Sequence, residues 1–167
     1  STVCGIGKIL YENAMCIDHM GFVYSDYKTK NLLYRCEGGA SARITYSDIG
    51  GLVKKVKESV FMPCTMPPPE IYATGKYDNA IPTEKIMVYG CAVCMLECLV
   101  NVNTAAKQYI QQLYHSKMTE VAYVSGVPSM IKQMNEYRER FIAQGSYDEH
   151  ILNGVTLGDF FRRTLHS

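Results

Sequence analysis

The sequence lacks an excess of charge of either sign. Its 17 Lys and Arg side chains nearly balance 16 Asp and Glu side chains, and the formal net charge is +1 at pH 7. Proteins dedicated to nucleic acid or to a membrane surface are usually clearly basic. This balance therefore argues against both classes, although it is compatible with a local basic patch.

A long hydrophobic run is also missing. The longest apolar stretch, residues 86–100, contains Glu97 and is shorter than the roughly 20 residues that a transmembrane helix needs. The chain begins at Ser1 with no basic and then apolar signal peptide. We therefore expect a soluble protein with no membrane partner.

The cysteines do not indicate a secreted disulfide framework. Their number, seven, is odd, so at least one is free or bonded to another chain. Cys91, Cys94 and Cys98 share one face if their segment is helical, and helical neighbours of this kind rarely form disulfides. We therefore expect an intracellular, cytoplasmic protein. The three thiols are either functional or core, and free cysteines are most often core.

The first third of the chain is predicted to be rich in strands. Short β-branched and aromatic runs occupy residues 21–24, 31–36 and 41–46, and turn-like residues separate them. These runs predict a three-stranded antiparallel meander. Upstream, residues 6–18 fit either a strand or a short helix.

A helix is predicted to follow the meander and to pack on one of its faces. Ser47 or Asp48 is a candidate N-cap, and the helix would continue to about Phe61. Its predicted apolar face consists of five residues at helical spacing, namely Ile49, Leu52, Val53, Val56 and Val60.

Four prolines between Met62 and Glu70 interrupt regular structure. They divide the chain into a β-rich part (1–62), a proline-rich linker or wrapped loop (63–81) and a helical part (82–167). One compact domain over the whole length is the alternative.

The C-terminal part is predicted to be mostly helical. Apolar periodicity and capping residues predict helices that begin near Thr83, Thr104, Pro128 and Leu157. The predicted fold class is therefore α+β, with a small N-terminal antiparallel sheet and one helix before a mostly helical C-terminal part.

Two sets of residues are candidates for cysteine chemistry. A structural zinc ion needs four converging ligands, and the candidate set is Cys4, Cys16, His19 and Cys36. No other cofactor is indicated. A cysteine enzyme would need a thiolate nucleophile and a histidine base, for which Cys91 with His115 or His150 is the candidate. No catalytic residue is assigned, because neither pattern matches a recognised signature.

Nucleic-acid binding is predicted to use the N-terminal sheet, if it occurs. Basic side chains interleaved with tyrosines can contact phosphates and stack on bases. The basic candidates are Lys28, Lys30, Arg35, Arg43, Lys54, Lys55 and Lys57, and the tyrosines are Tyr24, Tyr27, Tyr34 and Tyr46.

Protein interaction is the function that the sequence favours. Nine methionines and 13 tyrosines suit adaptable contact surfaces. The pre-extended Pro67, Pro68 and Pro69 and the terminal Phe160 and Phe161 are the candidate contact residues. We expect a non-enzymatic interaction or assembly component, either self-associating or part of a larger complex. A nucleic-acid-binding accessory protein and a cysteine-dependent enzyme are the alternatives.

Overall fold

The computed structural model describes the greater part of the chain. The residues that it describes are 2–36, 42–55, 68, 83–101, 103–113, 124–144, 147, 150–152 and 154–165.

The α+β fold class is confirmed. The helices are α1 (Thr2–His19), α2 (Thr83–Leu99), α3 (Thr104–Leu113), α4 (Val127–Gln144) and α5 (Leu157–Thr164). The strands are β1 (Phe22–Tyr24), β2 (Leu32–Arg35), β3 (Arg43–Tyr46), β4 (Leu52–Lys54), β5 (His150–Leu152) and β6 (Val155–Thr156), with a 3-10 turn at Thr29–Asn31.

The predicted meander is wrong in one pairing. β2 and β3 form an antiparallel ribbon, but β1 pairs with β4 in a second ribbon rather than with β2. The chain between β1 and β2 is diverted by the 3-10 turn at Thr29–Asn31. The Glu97 carboxylate accepts from the Thr29 backbone N–H at 2.6 Å, and Asp26 accepts from the Asn31 amide at 2.8 Å. These bonds fix an ordered connection where a simple hairpin turn was predicted.

The helix predicted from residue 47 or 48 to residue 61 is wrong over its described part. The Asp48 carboxylate accepts from the Gly50 N–H at 2.8 Å, which makes a local turn instead of a helix N-cap. Gly51 packs so closely that an added Cβ would lie 2.8 Å from the Asp26 Cβ. The two glycines and this close approach favour a tight turn into β4, and residues 56–61 lie outside the described residues.

Residues 6–18, for which the sequence fits either a strand or a helix, form part of a helix. α1 runs from Thr2 to His19 and buries Gly7, Leu10, Ala14 and Ile17. These positions recur at spacings of three and four residues, as expected for one helical face. That face packs against α2.

α2 is the central helix of the described structure. Every residue from Ile86 to Leu96 except Val88 is buried. One side, including Cys91, contributes to a core cluster with α1, β1 and β3, and the other side, including Met95, contributes to a cluster with α3, α4 and α5. A helix that is apolar all round is buried on all sides, so the segments on either side of residues 63–81 pack against the same helix.

The C-terminal helices agree with the predicted ones to within a few residues. α5 begins at the N-cap Thr156, whose hydroxyl accepts from the Asp159 N–H at 3.1 Å. A small hairpin of β5 and β6 precedes it and turns at Gly154, where φ is 75°. Among the described residues, no helix is both long enough and apolar enough to cross a membrane.

Candidate functional site

The cysteine stripe of α2 is part of the core. Cys91 and Cys94 are 0% exposed, and Cys98 is half-buried. Burial raises the pKa of the Cys91 thiol to about 12, despite a lowering hydrogen bond with Tyr27, and it also raises the pKa of Cys94. A nucleophilic cysteine needs a depressed pKa and access to substrate. The candidate nucleophile Cys91 is buried and therefore lacks this access.

The alkylation rate of each cysteine should therefore follow its exposure to solvent, and no thiol should stand out as unusually reactive. With iodoacetamide at pH 7.5, we expect Cys16 and Cys36, which are exposed, to be labelled first. Cys91 and Cys94 should react at least tenfold more slowly, because labelling requires opening of the core. Peptide mass spectrometry over a time course measures the order. Labelling in denaturant is the control, and preferential labelling of native Cys91 would contradict the expectation.

The four candidate zinc ligands do not form one cluster. Cys4 and Cys16 lie on the same helix, α1, twelve residues apart, which corresponds to about 18 Å along the axis. Zinc ligands lie about 2.0–2.3 Å from the metal, so these two cannot share an ion. Within the described residues, no group of three or more His, Cys, Asp or Glu side chains is arranged to hold a metal.

The candidate basic residues are distributed over several elements. Lys28 pairs with Asp26 at 2.8 Å, and Lys55 pairs with Asp18. Arg35 and Arg43 lie directly opposite each other at one end of the β2–β3 ribbon, and Lys30 lies in the 3-10 turn before it. Lys54 ends β4, and Lys57 lies outside the described residues. The ribbon therefore brings two arginines together, with Lys30 preceding it in the chain.

Three of the four candidate stacking tyrosines belong to the core. The rings of Tyr24, Tyr27 and Tyr46 lie 4.5–6.0 Å apart, and the hydroxyls of Tyr27 and Tyr46 are 3.4 Å apart. Burial is the largest cause that raises the pKa of each. Only Tyr34, which is 50% exposed, remains accessible to a partner.

The candidate contact residues of the proline-rich segment and of α5 are buried or partly buried where the structure describes them. Phe161 is 0% exposed and Phe160 is partly buried against the same core cluster. Pro68 is buried, whereas Pro67 and Pro69 lie outside the described residues.

The exposed apolar side chains concentrate in the N-terminal part instead. Seven large hydrophobic side chains are exposed among the described residues, and six of them precede residue 53. They are Tyr11, Met20, Leu33, Tyr34, Ile49 and Leu52. Sequence reasoning did not single out Leu33, Ile49 or Leu52 as contact residues. The available signal was the run Leu32–Leu33–Tyr34, because three successive apolar residues in a strand cannot all face one side.

The two faces of the β2–β3 ribbon differ in burial, and Tyr34 is the exposed member of the face that packs on the core. Leu32, Ile44 and Tyr46 pack on the core cluster that contains β1 and α1. The other face consists of two cross-strand pairs, Leu33 with Thr45 and Arg35 with Arg43, and all four residues are exposed. An apolar side chain thus lies beside two cations on an uncovered surface. We call these four residues the ribbon face.

Comparisons with known proteins assign no family to this arrangement. No protein family and no curated protein matches the chain.

Proposed function

We propose that this protein is an interaction or assembly component that binds a protein partner through the ribbon face. The observation that carries the proposal is the exposure of the four residues of the ribbon face, where Leu33 is 59% exposed. Burying a leucine side chain contributes about 1.5–3 kcal/mol. An interface centred on Leu33 and flanked by arginines matches the usual anatomy of an apolar centre with charged residues around it.

Photo-crosslinking tests this proposal at the level of the residue. A benzophenone amino acid at Leu33 is expected to capture a defined protein, or a second copy of the chain, in an extract of the source cells. The same group at Lys107, which is exposed on α3, is the matched control. Native mass spectrometry over a tenfold concentration range then separates self-association from binding to another protein. Absence of a product specific to position 33, together with a monomer at every concentration, would contradict the proposal.

Nucleic acid is the second candidate partner, and the facing Arg35 and Arg43 support it. Arginines bind phosphates well. The logarithm of the binding constant for such contacts falls linearly with the logarithm of the salt concentration. The tyrosines do not favour it, since Tyr24 and Tyr27 are buried. Retention on a heparin column that falls with salt and is lost in Arg43→Glu would favour nucleic acid over protein.

A further inference from the structure

A groove lies between α3 and α4, away from the ribbon face. Its volume is about 280 Å³, which is near the lower end of the roughly 300–1,000 Å³ that small-molecule sites occupy. All of its lining residues belong to these two helices. Those with polar or aromatic side chains include Gln108, Tyr109, Gln112, Tyr137, Arg140 and Gln144. The size of the groove therefore suits a small ligand.

The base of the groove is aromatic. The rings of Tyr109 and Phe141 stack with their centroids 5.2 Å apart and 14° between their planes. Both residues line the groove and both are buried, so they form its base. Aromatic rings pair favourably in offset-stacked and edge-to-face arrangements. A flat aromatic ring is therefore a ligand group that this base can contact.

Three amide side chains surround the aromatic base. Gln108 and Gln112 are four residues apart on α3, so they lie on one face about 6 Å apart along the helix axis. Gln144 adds a third amide from α4. Each amide presents donors beside an acceptor. This arrangement matches the N6 and N7 edge of adenine, which a glutamine amide binds with two hydrogen bonds.

Arg140 is the only Lys, Arg, Asp or Glu residue that lines the groove. Its guanidinium carbon lies 4.8 Å from the centre of the Tyr137 ring, and this cation–π contact holds the cation beside the groove. Nearby, Arg138 and Arg162 both pair with Glu139. In contrast, no ion pair between described residues includes Arg140. Its guanidinium is therefore available to a phosphate, which arginine binds bidentately.

We infer that this groove binds an adenine nucleotide. The adenine ring stacks on the aromatic base and hydrogen-bonds to the glutamine amides, and the phosphate pairs with Arg140. The inference goes beyond the proposed function, because it concerns a small ligand and uses helices that are not part of the ribbon face.

Isothermal titration calorimetry with the full chain tests the inference. The probe is adenosine 5′-monophosphate. The control ligands are adenosine, which lacks the phosphate, and cytidine 5′-monophosphate, which lacks the N6 and N7 edge. The probe is expected to bind at least fivefold more tightly than either control. Equal binding of the probe and either control, or no binding of the probe at about 1 mM, would overturn the inference.

Three protein variants locate the site. Arg140→Gln removes the charge of an exposed side chain and should weaken binding of the monophosphate at least fivefold. Arg163→Gln makes the same change on α5, outside the groove, and should leave binding unchanged. Gln112→Met keeps the length of the side chain without its amide and should also weaken binding. Equal effects of the two arginine variants, or an unchanged affinity in Gln112→Met, would overturn the inference.

Discussion

Gly90→Ala is expected to destabilise the protein by about 3 kcal/mol, because overpacking a dense core costs about 1–3 kcal/mol and occasionally more. Gly90 is buried in α2, and a Cβ added there would overlap the Cβ, Cγ and Cδ2 atoms of Tyr27. The Tyr27 Cβ, 2.7 Å from the added atom, is fixed by the backbone, so a rotamer change cannot remove the whole overlap. Tyr27 is itself only 3% exposed, and its ring centroid lies 5.1 Å from that of Tyr24. Urea unfolding should show a net loss of stability, because the cost of the overlap exceeds the gain of about 1 kcal/mol that replacing glycine with alanine brings to a helix.

Two controls separate this overlap from a general effect on helices. Gly5→Ala lies on α1, where an added Cβ has no neighbour within 4 Å, and should be stabilising by about 0.5–1 kcal/mol. In the background of Tyr27→Gly, the three overlapping atoms are absent, so Gly90→Ala should become neutral or stabilising. A full penalty in both backgrounds would show that Tyr27 does not cause the cost.

Phe161→Ala is expected to cost about 3–5 kcal/mol, as large truncations in a core do. Phe161 is 0% exposed, and its ring centroid lies 5.5 Å from that of Phe141 and 5.8 Å from that of Tyr147. Truncation would leave a cavity between α4, α5 and the segment before β5. Urea unfolding followed by circular dichroism measures the change in the free energy of unfolding.

The adjacent residue provides a matched control. Phe160 has the same side chain on the same helix but is only partly buried, so Phe160→Ala should cost less than half as much. Equal costs would contradict the assignment of Phe161 to the core. If Phe161 were instead a contact residue for a partner, its truncation would leave the stability of the isolated protein unchanged.

The helices of the C-terminal half were predictable because their signals are local. Pro128 lies in the first turn of α4, and Thr156 is the N-cap of α5. Such signals depend only on residues within one turn of the helix end. For residues 6–18 the sequence fits either a strand or a helix, and Gly7 lowers the helix propensity of this segment. Gly7 lies against Met95 of α2, a tertiary contact that the sequence does not reveal.

The pairing of the strands was not predictable from local patterns. β1 pairs with β4, with Phe22 opposite Lys54 and Tyr24 opposite Leu52. The β2–β3 ribbon lies between these two strands in the sequence. The turn-like residues between β1 and β2 are equally compatible with a hairpin that joins these two strands. The carboxylate of Glu97, far along the chain, fixes the connection instead.

The candidate surface was predictable in part. The sequence singled out Arg35 and Arg43 but did not select Leu33. Whether an apolar residue of a strand is a core residue or a surface residue depends on which face is covered. In this protein Ile44 and Tyr46 face the core cluster, and that assignment leaves Leu33 on the open side.

The central position of α2 also affects how the chain acquires its structure during synthesis. The apolar face of α1, formed by Leu10, Ala14 and Ile17, packs against a helix that ends only at Leu99. A growing chain therefore cannot complete the packing of this face until some eighty further residues have been synthesised, which at about 5–20 residues per second takes several seconds. During that interval the nascent α1 is a surface that molecular chaperones can bind, and the N-terminal strands can acquire their full core only after α2 has emerged.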